Sequence, residues 1–502
     1  MNFVSIKKRA SLFFFFLAII IPCSVFSQDT VTGAELPVTD APLAENEISP
    51  QEKNNGKNIN IDAELMYGQY NNILSTLSLI QSTDSFTYQL NTDFTRSNDF
   101  GYDNSSFYES EVGFSGKGQI TKNWSIIPQL DIYNESHGMF GNSFYNREEK
   151  DKIVLLLKNE YKPTPSRWQV NFGGGQYVHR LMGADPYDMS FYKLNEEIEW
   201  EYVWSSSYQW SFRHYSSHYF YKNTTNDDYH VGNEILGSFK IMEYIKISAG
   251  GIMDWNRDAG FFPSGKAQIA SVGLKYFILE GAYIYDLVPF MPEDLYFDQK
   301  FIYPNNNLPP GKVHKGDVKG SFELSKKSKS DIYIKKIKIK CRGLFEDNNN
   351  FYNYNFGLLP GNVLSAETVH AHSLGMENEA AIDVAMFAYE VGFLFSYRFD
   401  RYYADDNITY RPEHRFNGGV TFTSEKWALE WSNEYNSSMY VYPGSSEKLG
   451  DFIVGMLELR IQMVDSLFFN IKLNNLYNMN YCYIPGYAEP GFTVLAGLRI
   501  II

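Results

Sequence analysis

Two short segments of the sequence carry like charges at every second position. The cationic row consists of Lys336, Lys338, Lys340 and Arg342, and the acidic row consists of Glu197, Glu199 and Glu201. Alternate side chains of a β-strand share one face, so each row would present its charges together. We predict that both rows line an aqueous lumen as a solvated wall with ion pairs. The alternative is an anion-attracting lane in a pore.

His370 and His372 have a spacing that would place two imidazoles on one face of a strand. A metal site needs further ligands, for which Glu377 and Glu379 are candidates. The chain has nine histidines and no third one lies close to this pair. We therefore expect a position on the lumen wall or rim and predict no metal site.

Other chemistry finds no support in the sequence. It contains no serine, histidine and aspartate order in a supporting context and no helical H-E-x-x-H motif. We predict no catalytic residues, no cofactor and no enzyme activity. A net charge of −15 argues against nucleic acid as a partner, because that affinity comes mainly from Lys and Arg at phosphates. Three cysteines without zinc-type spacing predict neither a disulfide framework nor a zinc site.

The elements that would position these charges are long strands. Apolar and polar residues alternate cleanly over about 10–15 residues in many segments, for example from Ala385 to Phe399. A tilted strand crosses a membrane in about 9–11 residues. Aromatics make up 17% of the chain while its mean hydropathy is −0.34. This dilution of apolar residues among polar ones favours a lipid-facing β-barrel over a large soluble all-β protein.

The connections alternate between short and long, which is typical of outer-membrane barrels with short periplasmic turns and long extracellular loops. Short turns are predicted near 424–426 and 383–384, for example, and long loops near 135–149 and 346–365. The count is about 22 strands, within a range of 16–22, with both chain ends in the periplasm. The predicted fold is therefore all-β, a large closed antiparallel transmembrane barrel.

The chain ends suggest export and membrane insertion. Residues 1–27 have the basic, apolar and small-residue regions of a signal peptide. Residues 28–57 are polar, lack aromatics and are predicted to be a disordered periplasmic lead. Residues 58–502 then form the barrel. In the last strand, Gly497, Ile500 and Ile502 are similar to the C-terminal signals recognised by the outer-membrane insertion machinery, which with outer-membrane lipid is an expected partner.

Several motifs, in order along the chain, resemble those of TonB-dependent receptors. They are Tyr67-Gly68-Gln69-Tyr70-Asn71, Pro412-Glu413-His414-Arg415, Asn475-Leu476-Tyr477-Asn478, Pro485-Gly486-Tyr487 and Pro490-Gly491. The resemblance covers residues 58–502 and implies a 22-stranded barrel in the outer membrane of a Gram-negative-type bacterium. Members of that family also carry an N-terminal plug of well over a hundred residues, for which the roughly 30 residues of the lead are too few. We therefore expect a barrel portion alone and no TonB-type coupling protein.

The function predicted from these features is a channel that passes small solutes across the outer membrane. One alternative is a structural or adhesion barrel that displays extracellular loops, and another is a barrel that receives a plug from a second chain. The proline- and aromatic-rich loop near 287–314 bears on this choice. It would either fold inward and constrict the lumen, which we prefer, or remain outside as a binding loop.

Overall fold

The alternating segments form strands of one closed barrel in this computed structural model. The structure describes residues 58–502 except 84, 99–103, 140–141, 143, 185, 223–226, 242–243, 273, 275, 298–299, 304, 306–307, 327, 329 and 357–362. The predicted signal peptide and lead lie outside the described residues. No helix in the described part is long and apolar enough to cross a membrane.

Twenty-two antiparallel strands make the barrel wall, and β27 pairs with both β24 and β1, which closes the sheet. The wall strands are β1 (Asn58–Gly68), β2 (Ile73–Ser82), β3 (Phe86–Ser97), β4 (Phe107–Thr121), β5 (Trp124–Gly138), β6 (Tyr145–Tyr161), β7 (Ser166–Gly183), β8 (Tyr187–Val203), β9 (Tyr208–Tyr221), β10 (Asp228–Ile241), β11 (Ile245–Asn256), β12 (Gly260–Ser271), β13 (Phe277–Val288), β15 (Gly311–Ser325), β16 (Ile332–Phe356), β17 (Leu364–Met386), β18 (Tyr389–Ala404), β19 (His414–Thr423), β20 (Trp427–Asn436), β23 (Phe452–Val464), β24 (Leu467–Asn474) and β27 (Thr493–Ile501).

The remaining elements are short and lie in the connections. They are a 3-10 turn (Gln69–Asn71), α1 (Pro292–Phe297), β14 (Ile302–Tyr303), β21 (Met439–Tyr440), β22 (Lys448–Leu449), β25 (Cys482–Ile484) and β26 (Tyr487–Ala488). Cys341 in β16 and Cys482 in β25 are both thiols.

The outer face of the wall is apolar, as a surface in contact with lipid must be. On β7, Trp168, Val170 and Phe172 are each more than a third exposed, whereas Asn171 between them is buried. Exposed aromatics also collect beside the short turns, where outer-membrane barrels carry an aromatic girdle at the lipid interface. These are Trp124, Tyr161, Trp168, Trp204, Tyr208, Tyr244, Tyr389 and Trp427.

The strand count is confirmed, but several predicted connections are wrong. The turn predicted at 383–384 lies at Phe387 and Ala388, where Phe387 takes a positive φ of 55°. Most of the loop predicted at 346–365 is strand, because β16 continues to Phe356 and β17 starts at Leu364. Most of the loop predicted at 135–149 likewise belongs to β5 and β6. These strands extend beyond the lipid, where their polar outer faces obscure the alternation on which the prediction relied.

The two ends of the barrel differ in their connections. At one end, here called the short-turn end, strands are joined by turns such as 122–123, 424–426 and 465–466. The first residue of β1 and the last residue of β27 also lie at this end. At the other, the long-loop end, lie the connections 289–310, 405–413, 437–451 and 475–492. By analogy with other such barrels, the short-turn end is periplasmic.

Candidate functional site

In the connection between β13 and β15, residues 289–310, the described residues (all but 298–299, 304 and 306–307) fold into the barrel at the long-loop end. Its apolar side chains Phe290, Leu295, Tyr296, Phe301, Ile302 and Leu308 are each 7% exposed or less. They belong to one core cluster with inward side chains of β6 to β9 on one side and of β16 and β17 on another. The segment, called the inner segment below, therefore spans the lumen between distant parts of the wall. The sequence left open whether this loop folds inward or remains outside as a binding loop. In the structure it folds inward.

Proline and a short helix shape the inner segment. Pro292 occupies the first position of α1, where its missing N–H costs no helical hydrogen bond. At the other end of the segment, β14 pairs in parallel with β17, and Leu364 N–H donates to Phe301 O at 2.8 Å. The inner segment is thus joined to the wall by backbone hydrogen bonds and does not depend on side-chain packing alone.

Two acidic side chains anchor the inner segment to strands across the lumen. Glu293 on α1 forms an ion pair with Lys193 of β8 and accepts a hydrogen bond from Tyr219 Oη of β9 at 3.1 Å. From the wall, Glu148 Oε2 of β6 accepts the Phe301 N–H at 2.7 Å. Charge-assisted hydrogen bonds such as these are shorter and stronger than neutral ones.

Aromatic stacking seals the same region. The rings of Phe301 and Tyr487 stack with their centroids 3.9 Å apart and their planes at 14°. Tyr296 stacks on His179 of β7 at 6.1 Å. Tyr487 belongs to the connection 475–492, so a second long loop closes over the inner segment. An aromatic pair contributes about 0.5–1.5 kcal/mol beyond the area that it buries.

A cluster of buried charges lies beneath these aromatics. Glu148 and Lys150 are each 1% exposed, and Lys150 Nζ lies 3.9 Å from Glu148 and 3.8 Å from Glu135. His179 Nε2 lies 2.8 Å from Glu148 Oε1, and His137 is paired with Glu135. Buried charges are tolerated when each has a partner of opposite sign and further hydrogen bonds. Within the cluster, Lys150 and His179 partner Glu148 Oε1, and the Phe301 N–H of the inner segment supplies the hydrogen bond to Glu148 Oε2.

Two groups of the 475–492 connection have perturbed ionisation. Burial raises the pKa of Tyr487 to about 12, and its hydrogen bond with Asn142 opposes that rise. Burial also raises the pKa of the Glu489 carboxyl, which Lys300 of the inner segment partly offsets. Both shifts have the same cause, since a dry environment disfavours the charged form of each group.

The cationic row on β16 is paired with acids of the two adjacent strands. Lys336 lies 3.2 Å from Glu323, and Lys340 lies 2.8 Å from Glu379. Arg342 makes two hydrogen bonds to Asp317, at 3.1 and 3.0 Å. These three cations are therefore neutralised locally, on the face of the sheet opposite to Ile337 and Ile339.

The acidic row on β8 is paired in the same way. Arg213 of β9 pairs with Glu197 and lies 3.6 Å from Glu199. Arg167 of β7 lies 3.9 Å from Glu201. The structure does not bring the two rows together, since each one finds its counter-charges on its own neighbours. The placement of both rows on the lumen wall stays a prediction.

A cavity of about 810 Å³ lies beside the cationic row, towards the short-turn end. Charged side chains of β15, β16 and β17 line it together with Ile278 of β13 and Tyr276, which precedes that strand. The charged members include Lys319, Lys338, Lys340, Arg342, Glu377 and Glu379. Unlike the long-loop end, this space is lined by charges that remain partly exposed to water.

The closing seam joins the two ends of the chain. Arg499 of β27 makes two hydrogen bonds to Asp62 of β1, at 2.7 and 2.5 Å. At Gly497 the backbone of β1 approaches so closely that a Cβ atom would collide with Leu65 O, which explains glycine there. Ile500 pairs with Ala63 and Leu467, and Ile502 exchanges backbone hydrogen bonds with Ile61. Recognition of these residues by the insertion machinery stays a prediction.

The structure places His370 and His372 beside Asp347, an acidic residue that their sequence spacing does not indicate. Glu377 and Glu379, the candidates from the sequence, lie on the opposite face of β17, because residues at odd and even positions of a strand face opposite sides. Asp347 of β16, the cross-strand partner of His372, lies beside both imidazoles instead. Strand pairing, which a single sequence does not display, was the missing information.

The anchors of the inner segment were also missed. Glu135, His137 and Glu148 fall within the predicted loop 135–149, and Lys193 and Glu293 are 100 residues apart. The available signal was the group of aromatics and prolines in residues 287–314, which did indicate burial. It could not indicate which wall residues would meet them.

No family model matches the sequence, and no curated protein matches it. Solved structures do match in shape. The ferric-catecholate import receptor of Escherichia coli K12 has a TM-score of 0.67 at 12% identity, over 89% of this chain and 82% of the other. The ferric enterobactin receptor of Pseudomonas aeruginosa has a TM-score of 0.64 at 8% identity, over 89% and 81%. A siderophore receptor of Acinetobacter baumannii has 0.64 at 10%, over 90% and 81%.

The barrel has the fold of TonB-dependent receptors. At 8 to 12% identity the similarity concerns the fold and carries no individual residue role across. Together with the apolar outer face and the aromatic girdle, it makes this protein an outer-membrane β-barrel. The resemblance noted from the sequence motifs, and the strand count that it implied, are confirmed.

Proposed function

We propose that this barrel passes small solutes across the outer membrane and that its inner segment is the gate. The observation that carries the proposal is the path of residues 289–310, which pack against β6 to β9 and also against β16 and β17. A 22-stranded barrel encloses a lumen wide enough to require closure. The fold supports a role in transport, because the similar structures are described as receptors and a copper transporter. They include no enzyme among those named, which agrees with a non-enzymatic role.

The inner segment would serve here as a plug domain serves in a receptor. It is held by the β14–β17 backbone hydrogen bonds, by polar anchors and by buried apolar packing. None of these contacts belongs to the strand pairing that closes the wall, so the segment would be able to move away while the wall remains intact. Below it, the rows on β8 and β16 would form the hydrated wall along which a solute moves. A separate signal peptide and lead before residue 58, and independence from a TonB-type coupling protein, remain part of this proposal.

The display of extracellular loops, one of the alternatives, loses some support from the structure. Residues 346–356, part of the loop predicted near 346–365, belong to β16, and Phe351, Tyr354 and Phe356 are buried. These aromatics therefore pack within the protein and are not presented to a partner. A plug from another chain would have to displace the inner segment from the same space.

Conductance in planar bilayers tests the proposal. Residues 291–308 are replaced by a short Gly/Ser linker, which leaves β13 and β15 intact. We expect the wild type to be mostly closed and the variant to give large, steady openings, because the lumen has lost its obstruction. Equal conductance of the two proteins, with unchanged heat-modifiable migration on gels, would refute the gate.

A reversible lock provides the matched control. Tyr303 of β14 and Ser365 of β17 are direct partners in the parallel pairing, so their Cα separation suits a disulfide. In a background of Cys341→Ser and Cys482→Ser, we combine Tyr303→Cys with Ser365→Cys. Oxidation should abolish any spontaneous openings and reduction should restore them, whereas either single cysteine should respond to neither treatment.

A further inference from the structure

Three potential metal ligands converge on the hairpin formed by β16 and β17. Asp347 is the direct cross-strand partner of His372, and His370 lies two residues away on the same face of β17. The register of the two strands shifts between Asn348 and Phe351, which places two residues of β16 opposite His370 alone. Such a bulge redirects nearby side chains and is frequent beside functional sites.

The distances suit a single cation. Asp347 Oδ1 lies 2.9 Å from His370 Nε2 and 3.2 Å from His372 Nδ1, and the candidate ligand atoms of all three residues lie within 4.8 Å of one another. Around tetrahedral Zn²⁺, ligand atoms bonded at about 2.0–2.2 Å are separated by roughly 3.4 Å. Small side-chain rotations would therefore admit an ion between these atoms.

The group is open to solvent. The side chains of His370 and His372 are 52% and 51% exposed, and that of Asp347 is 32% exposed. They lie more than a dozen residues along β17 from its short-turn end at Met386, beyond the roughly 9–11 residues that cross the lipid. A hydrated cation can reach them from the external medium without entering the lumen.

We propose that Asp347, His370 and His372 bind a divalent transition-metal cation of the Zn²⁺ type on the outer face of the barrel. Two imidazole nitrogens and one carboxylate oxygen match the preferences of such ions, whereas Mg²⁺ and Ca²⁺ prefer all-oxygen sites. Three protein ligands leave one tetrahedral position for water or for an external ligand. The site is separate from the inner segment, so this proposal does not depend on the gate.

The surroundings support the placement of these ligands. His314 of β15 is the partner of Asp347 on its other side, but its ring stacks on Tyr285 at 4.3 Å and its Nδ1 lies 2.7 Å from Tyr283 Oη. It is therefore held away from the three-residue group and borders the site. The nearby cation Arg401 lies over Tyr403 and within 3.8 Å of Glu413.

Isothermal titration with ZnCl₂ tests the site. The full chain is prepared without a histidine tag, stripped with a chelator and titrated in detergent. We expect one Zn²⁺ per chain, with affinity at least tenfold weaker in His370→Ala, His372→Ala and Asp347→Ala. His414→Ala is the matched control, since His414 lies on β19 beside Tyr397, and it should bind as the wild type does. X-ray absorption at the zinc edge should show nitrogen ligands at about 2.0–2.1 Å.

Either of two results would overturn the proposal. One is the absence of Zn²⁺ binding by the wild type, and the other is unchanged affinity in both histidine variants. Heat-modifiable migration on gels establishes that each variant is a folded barrel, which is expected because the altered side chains are exposed. Replacement of residues 291–308 by the Gly/Ser linker should leave Zn²⁺ affinity unaltered, which separates this site from the gate.

Discussion

Charges at the two ends of the barrel have opposite environments. At the long-loop end, Glu148 and Lys150 are 1% exposed and lie beneath stacked aromatics. At the short-turn end, Lys340 and Glu379 form a pair whose side chains are 46% and 29% exposed, beside a cavity of about 810 Å³. The buried charges at the long-loop end are shielded from water, so the loss of any one partner destabilises the others. The pairs at the short-turn end are hydrated, so substitution of one member should have little effect on stability.

Under the proposed function, this difference would separate a structural role at the long-loop end from a conductive role at the short-turn end. A buried charge that loses its partner is costly. The inner segment should therefore be either packed in the lumen (the seated state) or released from it (the unseated state), with few molecules in intermediate positions. Exposed pairs contribute little to stability, but their field acts on any ion that passes. Substitutions should therefore change gating at the long-loop end and selectivity at the short-turn end.

The largest effect is expected from Glu148→Ala. This change removes the acceptor of the Phe301 N–H, one of the two carboxylates near Lys150 and the partner of His179 Nε2, which should weaken the seating of the inner segment by about 3–5 kcal/mol. Cleavage of the segment by an added protease should accelerate by about two to four orders of magnitude. Glu149→Ala, at the adjacent and partly exposed position near Arg180, is the control. Equal cleavage rates in the two variants would contradict the seating model.

Glu293→Gln should have the next largest effect. It weakens the ion pair with Lys193 and the hydrogen bond from Tyr219, at a cost of about 1.5–3 kcal/mol. Channel openings should become at least tenfold more frequent in planar bilayers. Glu447→Gln removes one negative charge from another long loop, where the side chain is exposed, and should not alter the frequency of openings. The anchor has no role in gating if the two variants behave alike.

A smaller effect on stability, with a distinct effect on conduction, is expected from Lys340→Gln. The lost pair with Glu379 is partly exposed, so barrel stability should change by less than about 1 kcal/mol. In the variant with the Gly/Ser linker, the reversal potential in a salt gradient should shift towards cation selectivity, because the wall has lost a positive charge. Lys326→Gln, in the turn after β15, should leave the reversal potential unchanged. A shift of equal size in that control would mean that the row does not face the conducting path.

The sequence predicted the wall far better than the gate. Alternation and loop length depend on local residue types, so 22 strands could be counted without any contact being known. The inner segment was indicated by its aromatics, but its anchors Lys193 and Glu148 depend on which strands lie across the lumen. The same limit explains the error at Glu377 and Glu379, since only the pairing of β16 with β17 brings Asp347 to His372. Contacts between distant strands are therefore what the sequence could not supply.

The smallest expected effect concerns pH and the closure by the 475–492 connection. Burial raises the pKa of Glu489, so a state in which the 475–492 connection buries this carboxyl binds a proton more readily than a state in which the carboxyl is hydrated. Stability of the seated state therefore falls as pH rises from the ordinary carboxyl range through the raised pKa, and acidification should favour closure. Protease cleavage of the inner segment should be slower at mildly acidic pH than at pH 7 in the wild type. Glu489→Gln, which is neutral at both values, should remove that part of the pH dependence, and an identical pH profile in the variant would exclude Glu489 as its source.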